Sequence, residues 1–200
     1  WYTYKIGRLL YGDKGGTYSL VMMAFSVQLL AVKQYASPEI PLTFFFTLTM
    51  YGFIKAYISR RNKYLWLSYI ALGLTVLTKG FPYIIVIAGI IGLFILLSNR
   101  FRWKEIWRDI KFLKVHIGIP IVLIIGLSWV IFMYLKDGQA FWEVYYRETF
   151  GRALSRTPNG SPFFYIEVIT WSILPYSLVF FYACFWWIVN RKEWHKIVFP

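Results

Sequence analysis

The chain has 200 residues, 58% of them hydrophobic and 16% charged, and its apolar residues gather into runs of 17 or more. Each run can cross a hydrocarbon core of roughly 30 Å at about 1.5 Å per residue, which argues against a soluble domain, whose surface helices would show a polar face. The net charge of +13 suggests nucleic acid until its placement is considered. With six spans and the loops divided alternately, one side holds Lys33, Lys79, Lys136, Arg147, Arg152 and Arg156. The other side holds the remaining sixteen of the 22 Lys and Arg residues. That asymmetry is the positive-inside pattern; it puts the larger set in the cytoplasm and leaves no need for a nucleic-acid partner.

In chain order, Trp1 to Gly16 reads as the inner end of an element followed by a turn at Tyr11-Gly12-Asp13-Lys14-Gly15-Gly16. The expected spans are Thr17 to Tyr35, Leu42 to Ile58, Tyr64 to Leu77, Phe81 to Leu97, Val115 to Leu135 and Phe163 to Val189. Lys55 is near enough to the Arg60-Arg61-Asn62-Lys63 loop to snorkel towards it. Arg100 to Lys114, rich in Trp and basic residues, is expected to lie as an amphipathic helix on anionic lipid. Pro175 is expected to kink the last span and free a carbonyl that needs another partner. The fold class is therefore all-α: a multi-pass transmembrane helical bundle of about six spans, forming a single domain over residues 1–200. With no initiator Met and no signal-like start, the chain is expected to be an internal fragment, incomplete at both ends.

Gln139 to Pro162 is the one long polar stretch between two apolar runs, and it is expected to form an outward-facing juxtamembrane helix. Trp142, Tyr145, Tyr146 and Phe150 fall on one face, suited to a membrane interface. Glu148, Arg152 and Arg156 follow one another at i+4 on the other face, as do Glu143 and Arg147. Gly151 and Pro158-Asn159-Gly160-Ser161-Pro162 end the pattern.

The candidate site residues are all on the outer side: Glu39, Lys79, the cluster of Arg147, Glu148 and Arg152, and Glu167. An ionisable residue at membrane depth costs several kcal/mol unless paired, so each needs a partner or a role. Plainer explanations stand beside each. Glu39 is equally a loop carboxylate between two prolines, Lys79 a snorkelling lysine at a helix end, and Glu167 a partner for an arginine. The i,i+4 pairs are equally surface salt bridges worth under about 1 kcal/mol. Cys184 reads as a small core residue. His116 and His195 are too far apart for a zinc site or a Ser-His-Asp triad. The 18 Phe, 16 Tyr and 10 Trp residues are interfacial anchors first and sugar-stacking or prenyl-lining surfaces second.

Four pieces carry a family resemblance. They are Ala36-Ser37-Pro38-Glu39-Ile40-Pro41-Leu42, then Ala71 to Leu74 with Leu77-Thr78-Lys79-Gly80-Phe81, then Glu148 with Arg152, then Ser161-Pro162-Phe163-Phe164-Tyr165. In order and loop placement the chain resembles the GT-C glycosyltransferases of the aminoarabinose transferase-like and protein O-mannosyltransferase group. The resemblance implies an enzyme that takes a sugar from a polyprenyl-phosphate carrier and passes it to a lipid, glycan or protein acceptor outside the membrane. It implies an integral protein of a bacterial plasma (inner) membrane with an outward-facing site, in contact with membrane lipids. It places Glu39 at the acidic position of the second outer loop and Glu148 and Arg152 in an acid and arginine motif of a later outer loop. It places Pro162 to Tyr165 at the start of the helix after that. The family's principal acidic residues, on the first outer loop, are absent from this chain. Thr149 and Asn159 stand where related enzymes have histidine, which speaks against histidine-assisted metal binding and against an aminoarabinose donor. No cofactor is assigned with certainty, and a divalent metal ion is the one left open.

On this basis Glu39 and Glu148 are the candidate catalytic residues. Lys79, Arg147 and Arg152 are the candidates for the carrier phosphate, and Tyr165 and Glu167 for the sugar or acceptor. Two other kinds of protein fit the same composition: a carrier or flippase that binds lipid phosphate without transferring a sugar, and a scaffolding subunit. A carrier would place charges near the bilayer midplane, whereas here they gather at the outer boundary.

Overall fold

In a computed structural model, residues 1–32, 37–148 and 163–189 are described, and within them the chain is helical with no strand. The helices are α1 (Tyr2–Ala24), α2 (Val27–Val32), α3 (Glu39–Ser59), α4 (Asn62–Lys79), α5 (Pro82–Ser98), α6 (Trp103–Leu113) and α7 (Val115–Tyr146), followed by α8 (Phe164–Ser172) and α9 (Ser177–Val189). Of the six expected spans, α3 and α7 are helices long and apolar enough to cross a membrane. The helix α5 and residues Ser177–Trp186 of α9 are apolar but shorter.

Small residues let α3, α4 and α7 pack closely. Lipid tails give no hydrophobic drive for helices to associate, so close van der Waals contact and interhelical hydrogen bonds must hold them. On α3, Gly52 faces the Ser68 backbone of α4, where an added Cβ would come within 2.8 Å of its nitrogen. The Ser68 hydroxyl donates to the Thr49 carbonyl at 2.8 Å. Gly73 of α4 faces Ile125 of α7, and Gly126 of α7 faces Val76 of α4. Leu72, Val76, Ile87 and Val122 form one buried cluster there. A Cβ at Gly126 would lie 2.7 Å from Val76 Cγ1, whereas one at Gly89 meets nothing within 4 Å. Gly126→Leu is therefore expected to destabilise the protein by about 1–3 kcal/mol. Thermal unfolding in detergent checks it, with Gly89→Leu expected to leave the midpoint unchanged.

Two expected spans are broken. The run from Thr17 to Tyr35 is interrupted where α1 ends and Ser26 Oγ turns back to the Met23 carbonyl at 3.1 Å. The run from Phe163 to Val189 is interrupted around Pro175, as expected of a residue without an N–H. The carbonyls it frees find partners: Ser177 Oγ donates to Thr170 O at 2.5 Å and Leu174 N–H to Trp171 O at 3.3 Å. The two breaks also meet, because Val27 N–H donates to Leu174 O at 3.0 Å. Broken helices of this kind persist where neighbouring chain takes up the backbone groups.

Within its own length α1 also reverses direction. Gly12 sits at φ +74°, a conformation that L side chains rarely adopt. The two arms then close on each other at Gly7, Gly15 and Ser19. The turn expected at residues 11–16 is thus a single glycine hinge.

At the basic end of the bundle, the short helix α6 is fastened by Asp109, whose side chain is 1% exposed. Its carboxylate accepts from Tyr57 at 2.7 Å and from Asn99 at 2.9 Å, and Arg60 lies 2.9 Å away. Tyr69 of α4 donates to the Leu113 carbonyl at 2.9 Å. Ile106 and Leu113 enter the cluster of Phe53, Ala56, Leu65 and Ile95. Trp103 and Trp107 face outward, 76% and 60% exposed. The expected amphipathic helix is present, held inward by one buried carboxylate.

Candidate functional site

Helices α3 and α4 run antiparallel across a short turn at Arg60 and Arg61, and they contain 21 and 18 residues. Near-equal lengths bring the first residue of α3 beside the last residue of α4. Those residues are Glu39 and Lys79, and their side chains form an ion pair. Each is also at the helix end its charge favours, the carboxylate in the first turn of α3 and the ammonium in the last turn of α4. Ser37 Oγ hydrogen-bonds the Glu39 carboxylate, and the Glu39 N–H donates back to Ser37 Oγ at 3.3 Å. The pair is about one-third exposed, with Lys79 at 33% and Glu39 at 38%. It is therefore ordered and still reachable by a ligand.

The pair touches two clefts. Lys79 lines one of about 270 Å³ with Thr78, Gly80, Trp129, Val130 and Tyr145. Glu39 lines another of about 240 Å³ with Gln28, Leu29 and Thr43. Tyr145 reaches the first cleft because α7 turns back on itself at Gly138, where φ is +57° and ψ −133°. Trp142 then meets Tyr134 with ring centroids 6.4 Å apart. In a straight helix residues eight apart would be separated by about 12 Å. The juxtamembrane segment thus folds down beside its own span.

Gly138 should be indispensable to this arrangement. Gly138→Val places a branched side chain at positive φ, a strain of about 1–3 kcal/mol, which is expected to swing residues 139–146 off the cleft. Cysteines introduced at Thr78 and Tyr145 in a Cys184→Ser background should cross-link with Gly138 present and fail to do so with Val.

The other candidate residues are distributed unevenly. Arg147 and Glu148 continue from α7 in a wider π-type turn two and three residues past Tyr145, and both are exposed. Among the described residues no ion pair joins Glu143 to Arg147, or Arg147 to Glu39. Arg152, Arg156, Thr149 and Asn159 lie outside the described residues. Tyr165 and Glu167 are exposed in the first turn of α8, and neither lines the two clefts. Ser37, Trp129 and Tyr145 join the site beside the residues expected from the sequence. Ser37 has a readable signal, a hydroxyl two residues before an acid at a helix start, and the other two depend on the reversal at Gly138. Among the described residues no group of three or more His, Cys, Asp and Glu side chains comes together to hold a metal ion.

Among the described residues two helices are long and apolar enough to cross a membrane, and together with the family match they indicate an integral membrane protein. The chain matches the model of the dolichyl-phosphate-mannose-protein mannosyltransferase family over residues 6–145, well over half its length, and belongs to that family of GT-C glycosyltransferases. The matched region contains Glu39 and Lys79 and stops two residues before Arg147. A relative from Aquifex aeolicus (strain VF5), described as an uncharacterized protein, is 34% identical across 99% of this chain. The chain spans 38% of that relative's length. No solved structure matches the chain.

Proposed function

We propose that the chain belongs to the membrane part of an enzyme that transfers a sugar from a polyprenyl-phosphate carrier to a hydroxyl acceptor on the outer face of the plasma membrane. The observation that carries this is the Glu39–Lys79 ion pair. It joins an acid and a cation at the end of two packed helices, beside a cleft, within the region that matches the family.

The chemistry asks for that combination. The acceptor oxygen forms a bond to the anomeric carbon, and the bond from that carbon to the phosphate oxygen breaks with its electrons. The departing carrier gains a negative charge, so it needs positive charge nearby in a water-poor place. Lys79 supplies a point charge, and Arg147 and Arg152 supply planar groups that grip two oxygens. When phosphate engages the Lys79 ammonium, Glu39 loses its partner and becomes free to accept a hydrogen bond from the acceptor hydroxyl. The hydroxyl proton leaves to a carboxylate base that Glu39 assists. Glu148 orients an arginine or joins a metal site, and Tyr165 and Glu167 contact the sugar or acceptor. The prenyl chain stays in the bilayer, held there by roughly 0.8 kcal/mol for each buried CH₂.

A test uses the full-length protein in liposomes with a panel of radiolabelled polyprenyl-phosphate sugars, comparing wild type with Arg152→Ala. Label reaching an acceptor only with wild type supports the transferase. Saturable carrier binding without transfer from any donor would make the protein a lipid-phosphate carrier instead.

A further inference from the structure

At the opposite end of α3 from Glu39 lies a pocket of about 450 Å³ between the first arm of α1 and α3, lined by Trp1, Tyr4, Lys5, Arg8, Tyr51 and Lys55. Lys55 is sixteen residues from Glu39, about 24 Å along the helix. The pocket is therefore separate from the site described above. We infer that it binds the phosphate group of an anionic phospholipid of the facing leaflet.

Charge and geometry support this. Three cations meet in the pocket, and Arg8 Nε lies 2.6 Å from Asp13, while among the described residues neither Lys5 nor Lys55 has a carboxylate partner. Their ammonium groups rest on aromatic faces instead. Lys5 Nζ is 5.3 Å from the Trp1 ring and 5.5 Å from the Tyr51 ring, and Lys55 Nζ is 5.8 Å from the same Tyr51 ring and 5.1 Å from Tyr64. Ring faces hold a cation in place without neutralising it. Two aimed, uncompensated ammonium groups on one buried tyrosine make a site for an anion, and lysine binds phosphate as a point charge.

Depth identifies the source of that anion. This end of α3 is joined to α6 through the Arg60–Asp109 contact. On α6, exposed Trp103 and Trp107 stand beside Lys104, Arg108 and Lys111, the arrangement of a helix at the headgroup level of an anionic membrane. A phosphate at that level is carried by lipid. Soluble phosphate shares the chemistry and differs only in how it arrives. The inference rests on the chain lying in a membrane and not on sugar transfer, and its test reads binding alone.

The experiment is native mass spectrometry of the full-length protein in detergent with added phosphatidylglycerol. Wild type is compared with Lys5→Gln/Lys55→Gln, Lys5→Arg/Lys55→Arg and, as a control at the opposite membrane surface, the exposed Lys136→Gln. Bound lipid should fall about ten-fold or more in the first variant, the scale of losing charge-assisted hydrogen bonds. It should persist in the arginine variant and the control. Glycerol 3-phosphate and inorganic phosphate at millimolar concentration test the soluble source. Binding of either one, lost in the first variant, retains the phosphate site and changes where the phosphate comes from. Equal retention by all variants, or an equal loss in the control, overturns the site. A diazirine-bearing phosphatidylglycerol needs no variant: labelling should map to the first arm of α1 and the Tyr51 turn, and labelling elsewhere would contradict the assignment.

Discussion

Lys79→Met in the full-length protein is expected to lower sugar transfer by about 10²–10³-fold, the cost of removing one preorganised group that stabilises developing negative charge. The fall should appear in kcat as much as in KM, because the phosphate gains charge only as the bond breaks. Lys79→Arg should recover part of the activity, since it restores the charge but not the reach of a compact ammonium group. Folding should survive the change. Lys79 is the last residue of α4, and its side chain packs against no buried cluster. Rates of label transfer under saturating and limiting donor measure both parts, and an unchanged kcat would detach Lys79 from the reacting phosphate.

Asp109→Ala is expected to destabilise the protein by about 2–4 kcal/mol without touching the reaction. The loss is large because one carboxylate serves three elements. Removing it takes an acceptor from the Tyr57 hydroxyl and from the buried Asn99 amide, and it takes from Arg60, which lies over the Tyr57 and Phe112 rings, its buried anion. The pH dependence follows from the same contacts. Burial raises the pKa of Asp109, but the hydrogen bonds from Asn99, Tyr57 and Arg60 outweigh it and hold the carboxyl below its ordinary value of 3.8. A lowered folded-state pKa contributes stability that is fully present above the unfolded value and is lost as pH falls through the folded one. Stability from Asp109 should thus be constant from neutral pH down to about 5 and disappear only in acid below 3.8. Unfolding midpoints across that range, compared with Asp109→Asn, check it: the variant should show a flatter acid limb.

The sequence exposes some of this and conceals the rest for physical reasons. Glu39 and Lys79 are legible because a charge beside an apolar run needs an explanation, and two antiparallel helices of near-equal length with a short turn between them align their far ends. Ser37 is legible for the same local reason, though its neighbour Glu39 draws the notice. The breaks at Ser26 and Pro175 are only half visible. Hydropathy reports burial or lipid contact and does not report whether the backbone is continuous, and the bond from Val27 to Leu174 joins residues far apart in the chain. Gly138 is hidden by its position after Lys136 and Asp137, where a loop glycine is unremarkable until its φ is known. Asp109 is hidden most fully, since an acid among Lys104, Arg108 and Lys111 looks like a solvated neighbour. Only the arrival of Tyr57 and Asn99 from other elements makes it the anchor of α6.

The account depends most on the role of Glu39, which is paired with Lys79 before substrate arrives and is set free by the carrier phosphate. The most direct measurement takes Glu39→Gln in the full-length protein and determines carrier-phosphate affinity and sugar transfer side by side. Glutamine keeps the shape and removes the competing charge. The prediction is that carrier binding is retained or tightened, because Lys79 no longer has to leave a carboxylate, while transfer falls by about 10²-fold or more from loss of the acid-base group. Transfer within about two-fold of wild type, less than RT in activation free energy, would contradict the account and reduce the ion pair to a clasp between two helices.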